Sequence, residues 1–339
     1  MRAILHIGTE KTGTTSSQNF LHENRTRLLS QDIVYPSNLG GINHRFIASY
    51  ALQLDTADES MRAMGLHTQQ QIDNFHSDTE ARLTEQLTAA STARYCIISS
   101  EHLHSRLRTE EQVLSIKQLL APLFEDIEVH IHLRPQVDVA ISLASTQSRV
   151  GGRIGEAFFQ SVRADQIYYN YDRLVGLWEG VFGVENVRCL AFKETPSYLD
   201  WLAQYIGLDL KSLPTPKRTN EALDVNVMAL VNALVDSGKQ QRVDFRVLDR
   251  LPVSEKLTLD QKFARQIQHR FEESNRSLIS RRDDLREGQL QPNWGKFPET
   301  GNTAVLEQKC NFAGALSDLV SHYNNVIAEL TKKSPHPGG

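Results

Sequence analysis

Short apolar runs alternate along this chain with longer stretches whose apolar positions recur at three- and four-residue spacing, the pattern of strands alternating with helices. The first run, Ala3-Ile4-Leu5-His6-Ile7, reads as a strand. Over residues 14–30 the positions of Phe20, Leu21, Leu28 and Leu29 predict a helix, and Ile33-Val34-Tyr35-Pro36 predicts a short second strand, which makes a βαβ opening. Residues 37–93 hold few β-formers and much Ala, Gln, Leu and Glu, so they predict a helical excursion of two or three helices. The sheet resumes at 94–99, a helix follows near 109–121, and 128–133 predicts another strand. Pro135 opens a helix in the favoured first-turn position. Helices are expected over 168–182 and 198–206 with a strand at 187–192 between them, and the part from 221 to about 333 reads as mostly helical with a loop-like stretch near 287–303.

This alternation predicts an α/β fold, a mainly parallel central sheet flanked by helices, forming one domain over 1–333 with a disordered tail at 334–339. Ligands of such sheets bind at the carboxyl ends of the strands. Three features fall there: the loop at 8–15, Ser99-Ser100-Glu101, and Arg134.

Composition narrows the class. A net charge of −4 over 339 residues argues against a generally basic nucleic-acid binder. Of the three cysteines, Cys96 and Cys189 sit in apolar runs as expected buried thiols, and with Cys310 they show no C-x-x-C spacing for zinc or redox work. No apolar run approaches ~18 residues, and no signal-peptide pattern precedes the first strand, so the expectation is a cytoplasmic protein without a transmembrane segment. His130 and His132, within a strand, read as core or surface residues, and no metal-ligand spacing is visible.

The chemistry concentrates in Gly8-Thr9-Glu10-Lys11-Thr12-Gly13-Thr14-Thr15. A strand feeding a Gly-rich turn that opens a helix directs loop N–H groups and the positive helix end at one anion. An ordinary phosphate loop reads G-x-x-x-x-G-K-[ST]; here the glycine spacing is kept, Thr14 takes the lysine position, and the lysine lies inside the loop as Lys11. The run Lys11-Thr12-Gly13-Thr14-Thr15 resembles the 5′-phosphosulfate loop of sulfotransferases that use 3′-phosphoadenosine-5′-phosphosulfate (PAPS). The resemblance implies their P-loop-like fold, an enzyme that needs no metal, and donor contacts from Lys11, Thr12, Gly13, Thr14, Thr15 and Ser16. In that family an Arg at a strand end and a Ser eight residues later on the next helix read the 3′-phosphate; Arg134 and Ser142 have that separation. Arg218, in Pro216-Lys217-Arg218-Thr219, resembles the basic loop that closes over the donor.

Transfer to a hydroxyl needs a proton acceptor. Glu101 is the preferred base, with His44, His102 and His104 as competitors. The resulting expectation is transfer of a sulfuryl group to a glycan or small alcohol or phenol, with Lys11 stabilising the bridging oxygen. The alternatives are a P-loop kinase, which would need the missing lysine after Gly13 and a strand-end Asp for Mg²⁺, and a non-catalytic nucleotide-binding scaffold. The acceptor and the oligomeric state are not legible in the sequence.

Overall fold

Five strands, β1 (Arg2–His6), β2 (Ile33–Val34), β3 (Tyr95–Ser99), β4 (Asp126–Leu133) and β5 (Val187–Ala191), form one sheet in the order β2-β3-β1-β4-β5, every pair parallel. The computed structural model describes residues 1–214, 222–238, 253–308 and 320–329. Arg218, Cys310 and the 334–339 tail lie outside the described residues. The described chain divides into two compact units, one of Met1–Gln136, Ala164–Thr219 and Arg270–Pro292, the other of Val137–Arg163, Asn220–His269 and Asn293–Gly339.

The sheet belongs wholly to the first unit and is covered on both faces, as a parallel sheet requires. On one face Ala3 and Leu5 of β1 and Ile7 just after it, with Cys96 and Ile98 of β3 and Val129, Ile131 and Leu133 of β4, are buried against Val113 and Ile116 of the helix Glu110–Leu120 and against Leu174 and Trp178 of the helix Tyr171–Phe182. These helices start where the local chemistry says they should. Thr109 and Gln112 close a capping box on the first, and the Asn170 side chain accepts from the Arg173 N–H on the second. On the other face Ile4, Ile97 and Leu190 pack against Phe20 and Leu21 and against Tyr198, Leu202 and Ile206 of the helix Tyr198–Ile206.

Strand-to-face alternation explains an unusual feature of β4. Its odd positions are apolar, whereas Glu128, His130 and His132 point to the other face and are still buried. Glu128 is partnered by Arg2 at 2.8 Å, Arg188 at 2.7 Å and the Tyr205 hydroxyl at 2.8 Å, and His130 Nδ1 meets the Tyr198 hydroxyl at 2.8 Å. Burial resists ionisation of Glu128, but His130, whose Nε2 lies 3.3 Å from Oε1, outweighs it together with Arg188 and Tyr205 and holds the carboxyl down at about 2 against an ordinary 4.5.

Two expectations are corrected in detail. The helix expected over 14–30 is broken into Thr14–Glu23 and Arg25–Leu29, because the buried Asn24 amide turns back to donate to the Phe20 carbonyl at 2.9 Å and also to Pro214 O at 3.0 Å. The helix expected from 168 begins at Tyr171, which leaves Tyr168 in the loop that precedes it. The excursion at 37–93 contains the helices Arg45–Tyr50, Glu59–Ala63 and Gln69–Ala89.

In the second unit the helix Val225–Asp236 is fastened through Asn232, whose amide donates to the Ile154 and Leu306 carbonyls while its Oδ1 accepts from the Ile154 N–H at 2.8 Å. Asp224 caps the same helix and gathers the Ser254 and Glu255 N–H groups at 2.8 Å. No helix among the described residues is long and apolar enough to cross a membrane.

Candidate active site

β1 lies between β3 and β4, so the chain segments that leave these three strands emerge side by side. The 8–15 loop follows β1 and stays bonded to β4 beyond the end of the strand: Ile7 N–H donates to His130 O at 3.0 Å, Thr9 N–H to His132 O at 2.8 Å, and the Thr9 hydroxyl to the same carbonyl at 3.0 Å. Ser100 N–H donates to His6 O at 2.9 Å, which ties the end of β3 to β1. The loop then turns through three residues with positive φ, Gly8 (84°), Lys11 (66°) and Gly13 (84°). Position 8 favours glycine through its φ of 84°, and a Cβ there would also lie a tight 3.2 Å from Glu10 N. Thr12 spends its hydroxyl inside the loop, donating to Thr9 O at 2.6 Å, so it braces the turn.

Gly13 caps the helix Thr14–Glu23 with backbone alone; among the described residues no side chain caps this terminus, and no acidic residue occupies its first turn. The first N–H groups of a helix have no partner within it and carry a partial positive charge. Here Gly13, Thr15 and Ser16 are exposed, while Thr14 is buried. Helix N-termini left in this state are, in general, suited to an anion.

Arg134, one residue beyond β4, donates from Nη1 to Lys11 O at 2.6 Å, and its own carbonyl accepts from the Tyr171 hydroxyl. Its guanidinium also lies over the Phe192 ring, 5.0 Å from the centroid. Arg134 therefore grips the loop at its strained lysine, a role the sequence did not reveal. Ser142 is half-buried on the helix Gln136–Arg149 in the second unit, whereas Arg134 belongs to the first, so their pairing rests on the spacing in the sequence.

Glu101 follows β3 and packs beside Gly8. Its Oε2 accepts from Gln18 Nε2 at 2.6 Å and its Oε1 from Asn43 Nδ2 at 3.5 Å, and the side chain keeps 16% of its surface exposed. Gln18 is buried on the helix that opens at the loop, and its amide also reaches Ser99 Oγ at 3.3 Å. It joins the helix that opens at the loop to the candidate base. Sequence reasoning missed Gln18, although its place four residues after Thr14 puts the two on one helical face.

The three competing histidines differ. His44 is fully buried: its Nδ1 accepts from the Ser99 N–H at 3.1 Å, so its Nε2 carries the proton and donates to Pro36 O at 2.7 Å. His104 repeats the arrangement, accepting at Nδ1 from the Glu10 N–H at 3.1 Å and donating from Nε2 to Tyr168 O at 2.9 Å. Both rings are committed to backbone and hold no nitrogen for an acceptor substrate. His102 accepts at Nε2 from Asn43 Nδ2 at 2.9 Å and stands 3.9 Å from Glu101 Oε1; burial lowers its pKa, so near neutral pH it adds no positive charge beside Glu101. Among the described residues no group of three or more His, Cys, Asp or Glu side chains is arranged to hold a metal ion.

Burial carries a pH consequence. Desolvation presses His44, His104 and His132 down to about 4. An unfolded histidine titrates near 6.5, so between pH 6.5 and 4 the unfolded chain takes up protons that the folded chain refuses. Their contribution to stability is complete above ~6.5 and is lost as the pH falls, by roughly 2 kcal/mol for each histidine at pH 5. Carboxylates held low, such as Glu128, keep their contribution until the pH nears the ordinary carboxylate range, so this window reports on the histidines. Thermal unfolding followed from pH 7.5 to 5 is expected to show a steep fall in Tm; a flat profile would mean that these rings are not buried and neutral.

No protein-family model and no curated protein matches the chain. Among solved structures, a sulfotransferase from Alicyclobacillus acidocaldarius aligns over 74% of this chain and 96% of its own at 17% identity with a TM-score of 0.41. At that level of likeness the alignment adds no argument to the site described above.

Proposed function

We propose that this protein is a sulfotransferase that moves a sulfuryl group from PAPS to the hydroxyl of a glycan or a small alcohol or phenol. The observation that carries the reading is the convergence, after β1, β3 and β4, of a loop that ends in a helix N-terminus with no side-chain cap among the described residues, with Lys11, Glu101 and Arg134. The donor supplies a sulfur already bonded to a good leaving group, the 5′-phosphate. In this reading the N–H groups at 13–15 and the Thr14 and Thr15 hydroxyls hold the phosphosulfate, and Ser16 borders it. The acceptor oxygen forms the new S–O bond as the bridging S–O bond breaks. Glu101 takes the hydroxyl proton, and Lys11 with the helix end stabilises the negative charge that arrives on the leaving phosphate. Arg134 and Ser142 are assigned to the 3′-phosphate, and Arg218 to a further phosphate contact of the donor, by resemblance alone.

Calorimetry with adenosine 3′,5′-bisphosphate, adenosine 5′-phosphate and ATP–Mg²⁺ tests this reading. The bisphosphate is expected to bind best, by on the order of 1.5–3 kcal/mol over the monophosphate, the size of a charge-assisted contact, and turnover is expected to persist in excess EDTA. Equal affinities would remove the 3′-phosphate assignment. Preference for ATP–Mg²⁺, with activity abolished by EDTA and restored by Mg²⁺, would replace the proposal with a kinase.

A further inference from the structure

A carboxylate within an anion-binding loop opposes the anion unless it is held to the protein, and Glu10 sits immediately before Lys11. Its Oε2 accepts from the Tyr168 hydroxyl at 2.8 Å, and its backbone N–H donates to His104 Nδ1 at 3.1 Å. His104 in turn donates from Nε2 to the Tyr168 carbonyl at 2.9 Å, and the two rings lie 4.4 Å apart. The three residues thus close a ring of hydrogen bonds between the loop, the short helix His102–Arg106 and the segment before the helix Tyr171–Phe182. Two peptide units further along the loop, on the C-terminal side of Lys11, Arg134 holds Lys11 O at 2.6 Å. Lys11 itself adopts φ 66°, a left-handed conformation that a side-chain-bearing residue keeps only when its surroundings impose it.

We infer that Glu10, Tyr168 and His104 form a lock that holds Lys11 in its left-handed conformation, with Tyr168 acting as a positioning residue for the lysine. The role assigned to Lys11 rests on the proposed sulfuryl transfer; the lock itself does not. The helix N-terminus at 13–15 is built by the helix that follows it, so releasing Glu10 displaces the lysine more than the anion-binding N–H groups. The hydroxyl of Tyr168 is the natural donor for this task, since burial and the neighbouring carboxylate push its pKa well above the ordinary value and keep it protonated.

Three variants test the lock: Tyr168→Phe, Glu10→Ala and Glu10→Gln, the last keeping an oxygen that can accept from Tyr168. Tyr168→Phe and Glu10→Ala are each expected to lower kcat by about 10²-fold, the effect of a misplacement near 1 Å, while affinity for adenosine 3′,5′-bisphosphate changes by only a few-fold. The double variant Tyr168→Phe/Glu10→Ala is expected to be no worse than either single one, because both break one interaction, and Glu10→Gln is expected to retain most of the turnover. Amide hydrogen exchange in the ligand-free protein supplies a readout that does not depend on activity: Tyr168→Phe is expected to expose the Glu10 N–H. If the wild type binds no bisphosphate, the sulfotransferase reading fails, and the exchange measurement alone decides the lock. Unchanged protection at Glu10 overturns the lock, as does a Tyr168→Phe loss that falls on affinity and turnover in equal proportion.

Discussion

Replacing Glu101 with Gln is expected to lower turnover roughly 10²–10⁴-fold, the range for removing a general base, while leaving donor binding nearly intact. The substitution suits its surroundings. Gln18 Nε2 donates to Glu101 Oε2 at 2.6 Å, and the amide oxygen of an introduced Gln can accept the same bond, so shape and packing survive while the proton acceptor disappears. Asn replacements of His44, His102 and His104 belong in the same experiment, with a pH–rate profile for each. His44 and His104 have both ring nitrogens engaged by backbone, so their variants are expected to lose stability, and His104→Asn also turnover through the lock on Lys11, without reshaping the profile. If Glu101→Gln turns over normally and His102→Asn is inactive, the base is His102, which lies 3.9 Å away and shares Asn43 with it.

Lys11→Ala is expected to lower kcat by about 10²–10³-fold, the usual cost of removing one group that stabilises charge developing in the transition state, with a much smaller change in affinity for the bisphosphate product. An interaction that strengthens only as the bridging oxygen becomes negative affects turnover rather than ground-state binding. The structure gives a reason to expect the split. The N–H groups at the start of the helix Thr14–Glu23 follow from the helix itself and remain after the lysine side chain is gone. The backbone of residue 11 also remains bonded to Arg134 through its carbonyl. Isothermal titration and single-turnover kinetics on one preparation separate the two effects. A loss of affinity equal to the loss of turnover would make Lys11 an anchor for the donor and nothing more.

Much of this site is legible in the amino-acid sequence. Glycines at 8 and 13 with hydroxyls after them are a local device, and both residues adopt the positive φ that such a turn demands. Glu101 and Arg134 fall at strand ends because the runs preceding them are short, one mostly apolar and the other alternating apolar with ionisable residues, and their spacing leaves room for crossover helices. Every partner distant in sequence stays hidden at that level. Gln18 reaches Glu101 across 83 positions, Arg134 reaches Lys11 across 123, and Tyr168 reaches Glu10 across 158.

The sequence by itself determined the strands, most of the helices, the glycine turn after β1 and the sheet-end position of Glu101, because each follows from hydrophobic period, glycine geometry or helix capping within a few residues. Only the tertiary structure decided that the helix after the loop breaks at Asn24, that His44 and His104 serve backbone rather than substrate, and that Arg134 grips Lys11. It decided too that Glu128, His130 and His132 form a buried polar column on one face of β4. These outcomes depend on which strands become neighbours, and strand order is set by the burial of whole faces; a one-residue change of face exchanges β4's apolar positions for its ionisable ones.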